Sequence, residues 1–111
     1  MPWHLQIADQ AAIGDRVILY ALGPIVIGAR ATVSQNAHLC AGTHDVRRAD
    51  RPLVKARILV GADAWICADA FVGPNVSIGE GAILGARAVA MRSLAAGRIG
   101  EGNPMQERAE T

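Results

Sequence analysis

The residue best suited to chemistry in this 111-residue chain is the histidine in Leu39-Cys40-Ala41-Gly42-Thr43-His44-Asp45. A neutral imidazole can accept a proton from an alcohol near neutral pH when a carbonyl or carboxylate holds its other ring nitrogen. His44 could therefore act as a general base, and the adjacent Asp45 need not be its partner. The residues alone leave a purely structural role for His44 open.

The other reactive side chains are two histidines and two cysteines. His4, His38 and His44 could in principle form a zinc trio. His38 and His44 are six positions apart, however, which in the repeat described below places them on different faces, so we expect no metal. Cys40 and Cys67 lack the count and spacing of a disulfide framework, and we expect small apolar residues in a reducing compartment.

The elements that must position these residues follow a six-residue repeat. Eleven of the twelve repeat positions hold Ile, Leu or Val, and a small side chain follows most of them four residues later. The repeat positions are Ile7, Ile13, Leu19, Ile27, Val33, Leu39, Val60, Ile66, Val72, Ile78, Leu84 and Ala90.

Neither a helical nor a simple strand period produces a repeat of six, whereas a short strand followed by a tight turn does. Three such units make one 18-residue coil, and coils stack at strand spacing. We therefore predict an all-β fold, a parallel β-helix of about four triangular coils, over residues 1–96.

Breaks in the repeat predict two additional features. About fifteen extra residues form an extended loop over 45–59, which carries Arg47, Arg48 and Arg51. This basic loop is either a solvent-exposed excursion or the wall of a binding cleft. The tail 97–111 contains Asn103-Pro104 before Gln106, a pattern that predicts a short C-terminal helix over the open end of the stack.

Residues just before each repeat position should point away from the core. Trp65 precedes Ile83 by 18 residues, and Phe71 precedes Val89 by 18, so each pair should stack on one face. Apolar columns outside a core indicate burial against another surface. Three-fold self-association explains them most simply, with isolated surface residues as the alternative.

Composition excludes several classes of protein. The net charge of +1 argues against a nucleic-acid binder, and no apolar run is long enough for a membrane span. The N-terminus lacks the pattern of a signal peptide, so we expect a cytoplasmic protein. Only 4% of the residues are aromatic, as expected for a core built from small and branched side chains.

In its repeat and motifs the sequence resembles the hexapeptide-repeat O-acetyltransferases, and among them the colanic acid biosynthesis branch. The resemblance covers nearly the whole chain and is most specific at Cys40–Asp45 and at Ala64-Trp65-Ile66. It implies a left-handed β-helix, a homotrimer, and acetyl-CoA bound between neighbouring subunits. The family usually carries a longer N-terminal segment, so we expect an incomplete acceptor side.

The resemblance also implies roles for individual residues. The family's general base matches His44, and the tryptophan that lines its cofactor groove matches Trp65, with Cys67 where the family has glycine. Backbone around Ala68, Gly85 and Ala86 would meet the pantetheine arm, and Arg92 would meet the CoA phosphates.

Two functions follow from this reading of the sequence. The first is transfer of an acetyl group from acetyl-CoA to a hydroxyl of a sugar or similar small acceptor. The second is a catalytically impaired trimeric module that keeps the fold and CoA binding. A metal-dependent lyase or hydrolase would need stoichiometric metal, which we do not expect.

Overall fold

Each six-residue unit leaves room for a short strand before the next turn, and this spacing sets the whole architecture. The computed structural model describes residues 4–44, 49–50 and 53–109, with only the backbone described for His44 and for 53–55. These residues contain 16 strands and no α-helix. In chain order the strands are β1 (Leu5–Ile7), β2 (Ala12–Ile13), β3 (Ile18–Tyr20), β4 (Ile25–Ile27), β5 (Thr32–Val33), β6 (His38–Cys40), β7 (Gly42–His44), β8 (Leu53–Lys55), β9 (Ile58–Val60), β10 (Trp65–Ile66), β11 (Phe71–Val72), β12 (Ser77–Ile78), β13 (Ile83–Leu84), β14 (Val89–Ala90), β15 (Arg98–Glu101) and β16 (Gln106–Ala109).

Three sheets form the faces of a triangular prism. Sheet A contains β1, β4, β9 and β12, and sheet C contains β3, β6, β11 and β14. Sheet B contains β2, β5, β10, β13 and β15, with β16 at its edge. The chain visits sheets A, B and C in turn, so the corners are called AB, BC and CA. Four complete coils and part of a fifth result, which confirms the predicted all-β fold of about four coils.

The strand register explains the breaks in the repeat. Trp65 lies opposite Ile83, an offset of 18 residues, whereas Ala12 lies opposite Thr32 because of a two-residue slip. Between coils 2 and 3 the offset is 33, with Val33 opposite Ile66. The fifteen additional residues therefore leave the prism at corner CA.

The insertion is a β-hairpin at its base, and its predicted bounds were too wide. β7 and β8 pair in antiparallel fashion, with His44 opposite Leu53. The predicted loop 45–59 extended too far, because Ile58 and Leu59 belong to coil strand β9. Residues 45–48 and 51–52 lie outside the described residues.

The core is the column of inward side chains in coils 2 to 4. Ile27, Val33, Leu39 and Ile66 are fully buried, and alanines such as Ala31 occupy the narrow second inward position. In coil 1 the expected inward residues are not buried, since Ile7 is 47% and Ile13 37% exposed. Coil 1 packs against coil 2 on one side only in this structure, which explains the exposure of these side chains.

The prediction of a short C-terminal helix is wrong. Residues Gln106–Ala109 form strand β16, which pairs in antiparallel fashion with Arg98–Glu101. The exposed edge of β15 offers backbone hydrogen bonds that a short helix could not use. Met105 is buried beside Gly100, so the tail covers this end as expected, but with a strand.

Candidate functional site

Corner BC and the adjoining part of sheet B bring together five of the residues singled out from the sequence. Trp65, Cys67 and Ala68 come from coil 3, and Gly85 and Ala86 come from coil 4. The Cys67 amide donates to the Leu84 carbonyl at 2.9 Å, and the Arg87 amide donates to the Ala68 carbonyl at 3.0 Å. These bonds hold the two coils in register, so that small residues line adjacent levels of one corner.

Trp65 projects from sheet B with 47% of its surface exposed. Its indole Nε1 donates a hydrogen bond to Ser34 Oγ at 2.9 Å. Ser34 lies on coil 2, one level below Trp65, at the position equivalent to Cys67. The sequence contained no sign of this pairing, because the two residues are 31 positions apart and the insertion obscures their stacking.

Cys67 has the electrostatics of a half-buried thiol. Burial raises its pKa above the ordinary value, since desolvation disfavours the thiolate. The thiolate is the nucleophilic form of cysteine, and it is scarce here at neutral pH. A covalent acyl-enzyme on Cys67 is therefore disfavoured.

His44 lies on the other side of sheet C from this corner. It is the last residue of β7, which leaves the prism at corner CA immediately after β6. Its backbone position is described, and its side chain lies outside the described residues. The neighbouring sequence is basic, because Arg47, Arg48, Arg51, Lys55 and Arg57 follow within fifteen residues.

Arg92 also lies at corner CA, in coil 4. Its side chain is exposed, and Nη2 donates to the Met105 carbonyl at 3.1 Å. Strand β14 separates it from Ala86, so the two residues lie at opposite edges of sheet C. Within one chain, the site residues thus form two groups: His44 and Arg92 at corner CA, and Trp65, Cys67, Ala68, Gly85 and Ala86 around corner BC.

The predicted outward columns are present on the two faces that meet at corner BC. Trp65 lies opposite Ile83 on sheet B, and Phe71 lies opposite Val89 on sheet C. His38 extends the second column and contacts Phe71 edge-on, with ring centroids 5.2 Å apart. Corner BC is therefore flanked on both sides by apolar side chains.

Outside the candidate site, corner AB carries a polar contact between two coils. Arg30 and Asp63 make a bidentate ion pair at corner AB, with Nε–Oδ1 at 2.9 Å and Nη2–Oδ2 at 3.0 Å. This contact lowers the pKa of Asp63 and raises the pKa of Arg30. It links coils 2 and 3, so its role is structural.

The part of the chain that the structure describes contains neither a cluster of metal ligands nor a membrane-spanning helix. Within 4–44, 49–50 and 53–109, no three His, Cys, Asp or Glu side chains are grouped to hold a metal ion. His4 makes its own contact, with Nδ1 3.0 Å from the Ala21 carbonyl oxygen. In the same part of the chain, no helix has the length and apolar character needed to cross a membrane.

Comparison with known proteins identifies the fold. Residues 57–89 match the family model for the bacterial transferase hexapeptide, six repeats. A maltose O-acetyltransferase from Clostridium difficile 630 superposes with a TM-score of 0.91 at 17% identity, over 97% of this chain and 59% of that one. The chain thus has the left-handed parallel β-helix fold of that structure, as the sequence predicted.

A more specific likeness is to curated proteins. The chain is 42% identical, over 99% of its length, to the protein of Escherichia coli K12 named colanic acid biosynthesis acetyltransferase WcaF, and equally to its Shigella flexneri counterpart. It spans 62% of the length of those relatives. A Vibrio cholerae hexapeptide-repeat acetyltransferase solved with acetyl coenzyme A has a TM-score of 0.78 at 19% identity, over 95% of this chain and 64% of that one. The resemblance inferred from the sequence is confirmed.

Proposed function

We propose that this chain carries the donor site of an acetyl-CoA-dependent O-acetyltransferase that acts on a hydroxyl of a sugar or similar small acceptor. The observation that carries the proposal is the 42% identity to WcaF along 99% of the chain. The class of acceptor is supported by relatives and structural neighbours named for colanic acid and maltose. Two free cysteines and the use of acetyl-CoA fit the cytoplasm.

The surface around corner BC fits the donor. Pantetheine is a narrow, largely uncharged arm, and Ala68, Gly85 and Ala86 offer backbone without bulky side chains. Trp65 supplies an exposed aromatic wall beside this track. Arg92, exposed at corner CA, would meet the phosphates of CoA by charge-assisted hydrogen bonds.

The transfer needs one proton acceptor and no covalent intermediate. His44 would take the proton of the acceptor hydroxyl as its oxygen attacks the thioester carbonyl. The new C–O bond forms, the C–S bond breaks, and the protonated imidazole returns its proton to the departing CoA thiolate. The raised pKa of the Cys67 thiol is consistent with this direct route.

The division of the site residues between two corners supports a trimer. His44 and Arg92 lie at corner CA, across sheet C from corner BC, so one chain does not bring them beside Trp65 around a single acetyl-CoA. Two neighbouring chains can do so when corner BC of one meets corner CA of the next. The apolar columns on sheets B and C supply the surface for that contact.

Replacement of the base tests the chemistry. We expect His44→Ala to lower turnover by roughly 10²–10⁴ and to leave CoA affinity nearly unchanged, because the base does not hold the donor. Turnover is measured as the steady-state release of CoA, and CoA affinity is measured by calorimetry. His4→Ala, remote from the site, is the matched control, and unchanged turnover in His44→Ala would exclude this role.

The second candidate is a trimeric module that binds CoA without transferring acetyl groups. It shares the donor surface at corner BC with the first candidate and differs from it only in whether an acceptor hydroxyl is acetylated. If hydroxylated acceptors never raise CoA release above the hydrolysis background while CoA still binds, this second function is correct.

A further inference from the structure

The side chain of Trp65 is oriented by one specific contact. Its Nε1 donates to Ser34 Oγ at 2.9 Å, and Ser34 belongs to coil 2 while Trp65 belongs to coil 3. The polar edge of the indole is therefore turned toward the N-terminal end of the stack. An indole has a single donor, so this bond fixes which neighbouring coil the ring approaches.

The direction of the Trp65 ring determines whether it covers the small residues that lie on its C-terminal side. Ser34, Cys67 and Gly85 occupy equivalent positions on coils 2, 3 and 4, since Val33, Ile66 and Leu84 are in register. Ser34 receives the indole, and the small residues Cys67 and Gly85 continue the column toward the C-terminal coils. An indole turned the other way would cover that column.

Ser34 itself is held in place by the backbone. Its amide donates to the Ile66 carbonyl at 2.8 Å, and its side chain is half-buried between the coils. The hydroxyl can thus orient the indole without a large loss of its own freedom. The bond links two coils at one edge of the candidate donor surface.

We propose that Ser34 is a positioning residue of the donor site, whose hydroxyl holds the Trp65 indole over coil 2 and keeps the Cys67–Gly85 column open for the pantetheine arm. The inference rests on the proposed acetyl-CoA function. Ser34 touches no reacting atom, so its effect is on donor binding and not on the chemical step.

Kinetics of Ser34→Ala provides the test. We expect KM for acetyl-CoA to rise about 2- to 10-fold, the effect of one hydrogen bond, with kcat nearly unchanged. Ser34→Thr keeps the hydroxyl and should restore most of the affinity. Ser77→Ala, a half-buried serine on the outer face of sheet A, is the matched control and should behave as wild type.

A double-mutant cycle separates this role from general destabilisation. Trp65→Phe keeps an aromatic ring but removes the donor, so adding Ser34→Ala to it should have no further effect on KM. The indole N–H signal of Trp65 in ¹⁵N-resolved NMR should shift in Ser34→Ala and stay in place in Ser77→Ala.

Different results would overturn the role of Ser34 and the proposed function. If wild type binds CoA but Ser34→Ala matches Ser77→Ala in KM, or if its kcat falls with KM unchanged, Ser34 does not position the donor wall. If wild type does not bind CoA, the proposed function is overturned and the inference with it.

Discussion

At the scale of single residues, the proposed donor surface works by combining small side chains with one large aromatic. Ala68, Gly85 and Ala86 leave backbone accessible, and Trp65 rises beside them with its indole tied to Ser34. Cys67 narrows the track slightly, where a glycine would leave it wider. This combination allows a flexible arm to lie along the coils without displacing a bulky group.

The protonation of Cys67 is a testable part of this picture. Because burial raises its pKa, the thiolate should appear at higher pH than for a free cysteine, whose pKa is about 8.5. In a Cys40→Ser background, the rate of alkylation of Cys67 by iodoacetamide should rise with a midpoint above that pH. The same protein unfolded in denaturant should return to the ordinary midpoint, and a folded midpoint below it would contradict the desolvated thiol.

Individual contacts were the least predictable feature of the site. The sequence identified Trp65, Cys67, Ala68, Gly85 and Ala86 through the repeat and the family resemblance, and the structure brings them together. It did not identify Ser34, since the partner of the Trp65 indole depends on a 33-residue register that only strand pairing across the insertion defines.

At the scale of elements, close stacking of the coils determines which residues the turns tolerate. At corner AB the residue after the inward aliphatic is glycine in three successive coils: Gly28, Gly61 and Gly79. A Cβ at Gly61 would lie 2.6 Å from the Glu80 amide nitrogen, a backbone atom that cannot move aside. Glycine is therefore required here by the approach of the next coil.

Gly61→Ala should destabilise the solenoid. Overpacking against fixed backbone costs about 1–3 kcal/mol, which lowers the melting temperature by several degrees in a domain of this size. Thermal unfolding followed by circular dichroism would measure it. Ala62→Ser, at the next turn position, serves as control, and equal melting temperatures for the two variants would show that the coils can separate locally.

The elements were largely predictable because the six-residue period reflects local geometry. The six-residue period predicted the coils, the outward columns and the presence of an insertion. The C-terminal helix was wrong because its signals, Asn103-Pro104 before Gln106, are local, whereas the edge of β15 that recruits β16 is created by the fold. The exposure of Ile7 and Ile13 was not predicted, because burial depends on a neighbouring coil as well as on the residue type.

At the scale of the whole molecule, the sequence concentrates positive charge in one segment, because five of the eleven Lys and Arg residues fall between positions 47 and 57. The net charge of +1 conceals this cluster. The apolar columns of sheets B and C flank corner BC. We propose an assembly in which corner BC of one chain faces corner CA of the next, with the anionic donor between them.

The central claim is that acetyl-CoA binds between neighbouring chains of a trimer, and calorimetric titration of the protein with CoA tests it most directly. The matched variants are Val89→Glu, which places a charge on the sheet C column, and Ser77→Glu, which places one on sheet A. Light scattering establishes the oligomeric state of each sample. We predict one CoA per chain for the wild-type trimer and for Ser77→Glu, and no binding by a monomeric Val89→Glu. Absence of CoA binding to the wild type, or undiminished binding to a monomer, would contradict the account.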